Sequence, residues 1–181
     1  MKFIKDIKRY KDYSGKSAFK MLLTQQGLWA LFQYRFYNWI YTSRLPKIIK
    51  LPLLFLGVIK QKGIEIITGI SIPYSAQIGE GFYIGHHSGI IINPNAIIGK
   101  NCNISQGVTI GVSGKGPYRG TPVIGDEVYL GANATVVGKI IIGNRAVIGA
   151  NSLVNRDVKE SVTVLGVPAK EVVKNDSRTY I

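Results

Sequence analysis

From residue 72 onward an aliphatic side chain returns every six positions: Ile72, Ile78 and Ile84, then Ile92, Ile98, Ile104 and Ile110, then Ile124, Leu130, Val136, Ile142, Ile148 and Val154. A glycine often follows directly, as at Gly79, Gly85, Gly99, Gly111, Gly125, Gly131, Gly143 and Gly149. Four places after the aliphatic residue comes a small one: Ala76, Ser88, Ala96, Cys102, Ala134, Ala146 or Ser152. A helix repeats its apolar positions every 3.6 residues and a simple strand every two, so neither accounts for a period of six. A short flat strand followed by a turn does. Three such units close a triangular coil, with the aliphatic residue on the inside and Gly79, Gly99, Asn101, Gly143 and Asn144 at corners. Coils stack through backbone hydrogen bonds about 4.8 Å apart, and the hexads suffice for four to five of them. The phase slips by two residues between Ile84 and Ile92, and a longer insertion, 112–123, separates Ile110 from Ile124.

The first third of the chain follows another pattern. Bulky apolar residues crowd 17–43, from Phe19 through Leu28, Trp29, Phe32, Tyr34 and Phe36 to Trp39 and Ile40. Pro46 and Pro52 interrupt a second apolar stretch that runs to about Ile59. This predicts two or three helices, the first beginning near residue 3. The organisation expected is a basic, aromatic-rich helical segment over 1–64, a coil domain over 65–174 and a tail over 175–181.

Charge sharpens this division. Residues 1–64 hold 13 Lys and Arg against Asp6 and Asp12, a balance of +11, which leaves only +2 for the other 117 residues. No recognisable motif supports nucleic-acid binding. Two readings remain. The aromatic side packs on the first coils and the charges are solvated, or the segment touches an anionic membrane surface from the cytoplasmic side. The apolar run Leu51 to Ile59 is far short of the roughly 20 residues a spanning helix needs, and the charged N-terminus lacks a secretory signal's apolar region. The lone cysteine, Cys102, fills a small-residue slot and reads as a buried spacer; it suits a reducing cytoplasm.

The hexads, the segment Ile84-Gly85-His86-His87-Ser88-Gly89, the runs Ile91-Ile92-Asn93 and Gln106-Gly107-Val108-Thr109-Ile110-Gly111, and the closing Gly166-Val167-Pro168-Ala169-Lys170 together resemble the hexapeptide-repeat acyltransferases. Within that family the chain is similar to serine acetyltransferases and to the serine-acetyltransferase-like enzymes of bacterial polysaccharide synthesis, such as colanic acid acetyltransferases. The resemblance implies a mainly β fold, a left-handed parallel β-helix, assembled as a homotrimer. It also implies acetyl-CoA bound in the groove between neighbouring chains, and no metal.

An alcohol must lose its proton as it attacks a thioester, and an imidazole, titrating near 6.5, suits the task of taking it. The only histidines are His86 and His87. Adjacent strand residues face opposite ways, and the resemblance places the catalytic base at His86. It leaves His87 to line the groove. In the family an acidic residue one turn earlier orients the base, but Ser71-Ile72-Pro73-Tyr74 stands there; Tyr74, Glu80 and Asn93 are substitutes to consider. The family's Asp-Arg-His-Pro stretch is replaced by Tyr118-Arg119-Gly120-Thr121-Pro122, which keeps an arginine and loses the histidine. His87, Asn93, Lys115 and Arg119 are therefore the expected acceptor-binding residues, the last two at the tip of the insertion. Gly111, Gly131, Ala132, Ala150 and Lys170 are the expected coenzyme contacts, although Gly131 and Ala150 read equally as plain turn residues.

The loss of the orienting acid and of the loop histidine favours transfer of acetyl to a sugar hydroxyl of a surface polysaccharide or its precursor. Serine O-acetylation for cysteine synthesis is the alternative, and the terminal Ile181, common at the end of serine acetyltransferases, points that way. A xenobiotic acetyltransferase and a non-catalytic β-helix scaffold complete the range of readings.

Overall fold

A computed structural model describes residues 2–173 and 175–181. Four helices come first: α1 (Lys2–Ser14), α2 (Ala18–Thr24), α3 (Gln26–Thr42) and α4 (Lys47–Thr68). The expected two or three become four because Gln25 takes an extended conformation and divides the 17–43 stretch. Ser17 starts α2 by accepting the Lys20 N–H. Pro52 does not end the last helix. It sits in the second turn of α4, where only the carbonyl of Ile48 loses its partner and the helix flank is open to solvent. α4 continues past residue 64 to Gly69, whose left-handed conformation (φ 67°) closes it with an N–H to the carbonyl of Glu65.

The rest is a three-sided parallel β-helix. The first face stacks β1 (Ile70–Ser71), β4 (Ile90–Ile92), β7 (Thr109–Gly111), β10 (Thr135–Val137) and β13 (Leu153–Val154). The second stacks β2 (Gln77–Ile78), β5 (Ile97–Ile98), β8 (Val123–Ile124) and β11 (Ile141–Ile142). The third stacks β3 (Tyr83–Ile84), β6 (Asn103–Ile104), β9 (Tyr129–Leu130), β12 (Val147–Ile148) and β14 (Thr163–Gly166). Register follows the hexads: Ile84, Ile104, Leu130, Ile148 and Val164 lie over one another on the third face. All thirteen hexad aliphatics are buried, none more than 3% exposed, and they form one continuous core. Cys102 lies in that core, where burial pushes its thiol up to about 12 and its Sγ–H points at the carbonyl of Gly125. Ser88 is the exception among the small residues. The two-residue slip carries it out to solvent with φ 87°.

Two details depart from the expected pattern. Gly79, Gly99 and Gly143 do not have unusual backbone angles. They are glycines because the next coil's backbone passes too close for a Cβ; of the expected corner residues Asn101 does turn left-handed, and the other left-handed turns include Gly81, Glu127, Arg145 and Ser161. The closing segment forms β15 (Ala169–Val173), which turns back antiparallel on β14 and covers the last coil's edge.

The first coil's edge is covered by the helices. Edge strands expose unpaired N–H and C=O groups, and here side chains pair with them. The Tyr10 hydroxyl accepts the Ile84 N–H and donates to the Ile84 carbonyl, both at 3.0 Å. The Tyr34 hydroxyl accepts from the Ile78 N–H and donates to the Ala76 carbonyl. Asp6 accepts the Phe82 N–H and is held by a buried two-pronged pair with Arg35, which also donates to the Ile78 carbonyl at 2.7 Å.

Candidate active site

The third face turns into the first at the corner that carries His86. On later coils the positions two beyond the ladder aliphatics are Gln106, Ala132, Ala150 and Gly166, stacked up the same edge. The two extra residues of the phase slip enter here. They shift the stacking bond so that the Gly107 N–H reaches the Ser88 carbonyl, and they bulge the corner outward through left-handed Ser88 and Gly89. His86 and His87 are consequently exposed, outside the apolar core.

His86 lines a cleft of about 320 Å³ together with Tyr13, Tyr83, Asn103, Ser105, Tyr129 and Tyr180. Its walls come from three parts of the chain. α1 lays Tyr13 on Tyr83, rings stacked at 4.4 Å. The third face supplies Asn103, whose amide donates to the Tyr13 hydroxyl at 2.6 Å and the Tyr180 carbonyl at 3.0 Å. The tail folds back through a turn at Ser177–Thr179, anchored by the Ser177 hydroxyl on the carbonyl of Glu127, and sets Tyr180 beside Tyr129 at 5.0 Å. Burial pushes the Tyr83 phenol upward, so its hydroxyl stays protonated and able to donate. Arg9 lies over the Tyr13 ring and donates to Asn103 Oδ1.

Sequence reasoning named only His86 of these residues. Tyr13 and Asn103 escaped it because the contacts join positions about ninety residues apart. The tyrosines at 10 and 13, three apart on a helix, were the available signal that one side of α1 meets a partner.

The other expected residues divide between two corners. Ala132 and Ala150 share the His86 edge, half-buried and exposed respectively. Gly131 is buried beneath them; a Cβ there would lie 2.7 Å from the Ala150 nitrogen, so its reading as a stacking residue is the one the packing supports. Lys170 is exposed on β15 opposite Leu165, at the far end of the same face. Asn93 and Gly111 lie instead at the other end of the first face, on neighbouring coils, where the Asn93 N–H donates to the Ile110 carbonyl. The insertion leaves from that corner. It is a small closed ear, pinned by reciprocal Ser113–Gly120 backbone bonds, with Lys115 and Arg119 exposed. None of Asn93, Lys115 and Arg119 reaches the His86 cleft of its own chain.

The proposed orienting residues are engaged elsewhere. Glu80 pairs with Lys5 at 2.6 Å, Asn93 Oδ1 accepts from the Asn95 N–H, and Tyr74 packs on Tyr41. The reason is the helical cap: α1 and α3 lie over the first coil's edge and occupy Glu80 and Tyr74.

Comparison with known proteins extends over nearly the whole chain. Residues 121–156 match the family described as bacterial transferase hexapeptide (six repeats). The serine acetyltransferase of Synechococcus elongatus is 36% identical over 93% of this chain, which spans 66% of that protein, just under two thirds. That of Bacillus subtilis is 34% identical over 92% of this chain and 73% of its own length. Among solved structures, Neisseria gonorrhoeae serine acetyltransferase in complex with serine superposes with a TM-score of 0.82 at 33% identity, covering 95% of this chain and 68% of that one. A serine acetyltransferase in complex with CoA gives 0.81 at 28%, covering 94% and 68%. The expected sugar acceptor is overturned by these relatives, which are serine acetyltransferases along the helical segment as well as the coils; the two altered motifs were too local to outweigh a match of this extent. Among the described residues no helix is long and apolar enough to cross a membrane. The chain belongs to the serine acetyltransferase family, a branch of the hexapeptide-repeat acyltransferases.

Proposed function

We propose that this protein transfers acetyl from acetyl-CoA to the hydroxyl of serine, with His86 as the general base. The observation that carries the reading is the likeness to serine acetyltransferases across more than nine tenths of the chain, combined with a histidine bulged out of the coil into a cleft. In the reaction the imidazole takes the serine hydroxyl proton as the oxygen attacks the thioester carbonyl. The oxygen–carbon bond forms, the carbon–sulfur bond breaks, and the imidazolium returns its proton to the departing thiolate, giving O-acetylserine and free CoA. The carbonyl oxygen gains charge in between and needs a positioned N–H donor. The N–H groups of Gly85 and Ser88 are engaged by the carbonyls of Ile104 and Thr68, so this donor has to come from another group at the corner or from a neighbouring chain.

Acetyl-CoA is assigned to the His86 edge, where Ala132 and Ala150 leave room for an extended arm. Lys170, five strand spacings from β3 along the third face or roughly 24 Å away, is suited to a phosphate. Asn93, Lys115 and Arg119 stand across the first face from His86, so the serine subsite is inferred to be completed by a neighbouring chain in a trimer. Arg119 is its candidate carboxylate partner.

The test is CoA thiol release with serine as acceptor. Serine-dependent turnover is expected, and His86→Ala should lower kcat by about 10²–10⁴-fold, the usual share of a general base. Undiminished turnover in that variant would remove the mechanism, and turnover with saccharides but not with serine would remove the substrate.

A further inference from the structure

The molecule carries a larger hollow than the one at His86. It is a groove of about 900 Å³ on the helical cap, walled by α3 and α4 and lined almost wholly by apolar side chains, Trp29, Phe32, Phe36, Ile59 and Ile67 among them. It continues onto a bare helix face. α4 turns Leu54, Gly57 and Thr68 inward, while Ile48, Leu51, Phe55, Ile59 and Ile66 on the opposite side are between 53% and 85% exposed. At 100° per residue these five fall in one stripe along a helix about 33 Å long, interrupted between Ile59 and Ile66 by exposed Lys62. Lys47 and Lys60, both exposed, flank it. Soluble proteins seldom leave so long an apolar surface bare.

We propose that this face of α4, with the adjoining α3 aromatics, docks on an anionic lipid bilayer, the helix lying in the plane of the surface. Charge selects that occupant. The first 64 residues carry a balance of +11, and their acidic groups are few: Asp6 is buried against Arg35, which leaves Asp12. Just beyond them Glu65 is taken up by Lys62 at 2.6 Å. A second copy packed face to face about a two-fold axis would bring one cationic surface onto another. An anionic bilayer complements both features at once: headgroups meet the lysines, and the apolar stripe and Trp39, 62% exposed, enter the interface. The helix is too short in apolar sequence to span, so it lies on the surface. The proposal does not depend on the acceptor of the acetyl group.

The test is flotation of the full chain with vesicles of equimolar phosphatidylcholine and phosphatidylglycerol, against vesicles of phosphatidylcholine alone. The protein is expected to float with the anionic vesicles and to be released as salt is raised. Lys47→Gln and Lys60→Gln should each weaken partition roughly fivefold. Phe55→Asp should abolish flotation while serine-dependent turnover and the unfolding midpoint stay unchanged, since the side chain touches no part of the site or core. Absence of flotation with anionic vesicles, or equal recovery with both compositions, overturns the proposal. So does an assembly larger than the trimer that Phe55→Asp dissolves without any vesicle binding, which would give the face to a second copy.

Discussion

The coils and the helical cap solve the burial problem in opposite ways. In the coils every hexad aliphatic is inside, and the outward apolar residues, such as Ile97, Val123 and Ile141 stacked on the second face, stand on strands only two residues long. In the cap the buried residues are tied to the coils by polar side chains, while an apolar stripe of α4 and the α3 aromatics face outward. The difference teaches that a periodic sequence fixes its own inside, because each coil is buried by its neighbours. A cap is specified by two surfaces, the edge it must satisfy and whatever covers its other side.

The comparison breaks most sharply at the join. Arg35→Met removes the ion-pair partner of fully buried Asp6 and leaves its charge beside the first coil, while the Ile78 carbonyl keeps only the Lys2 ammonium at 3.0 Å. Breaking a buried pair from one side costs about 3–5 kcal/mol, and the loss should appear in chemical denaturation as early release of the helices from the coils. Within the coils, Ile104→Ala opens a cavity between Ile84 and Leu130. A cost of about 2–5 kcal/mol is expected, with no separation of helical and coil transitions. If the helices unfolded first in that variant as well, the two regions would not be joined in the way described.

The periodicity alone gave the coil, its core and the place where it is interrupted. His86 rests on the family resemblance; the two-residue slip visible in the spacing shows only that the coil is interrupted beside it. The corner glycines were assigned the wrong cause, since spacing does not distinguish a residue that needs an unusual φ from one over which the next coil passes too closely. The cleft around His86 was not legible, because Tyr13, Asn103 and Tyr180 meet only after the chain has folded on itself from both ends. The acceptor was misread for a related reason: two short motif departures were weighed against a likeness whose extent local motifs do not reveal.

A smaller effect sharpens the account of the cap's inner side. Tyr10→Phe keeps the ring against Tyr83 but removes the hydroxyl that serves both the N–H and the carbonyl of Ile84. Two buried backbone groups lose a partner, at a cost of about 1–3 kcal/mol. Amide exchange at Ile84 should accelerate while that at Leu130, two coils away, stays slow. Equal exchange at the two sites would mean that the coil edge does not need its cap.

The smallest expected effect concerns the outer side, where the cap should be nearly indifferent to substitution. Phe55 is 69% exposed in the middle of the α4 stripe and serine is a moderate helix former, so Phe55→Ser changes propensity and little else. Stability of the lipid-free protein should move by no more than about 0.5 kcal/mol, the usual range for surface positions. The paired control is Leu54→Ser, one residue away and 8% exposed against Tyr37 and Ile40, which should cost several times more. A thermal-unfolding pair is sufficient to read the contrast. If Phe55→Ser proved as costly as Leu54→Ser, the stripe would already be covered in solution, and the outward face of the cap would have to be counted with its interior.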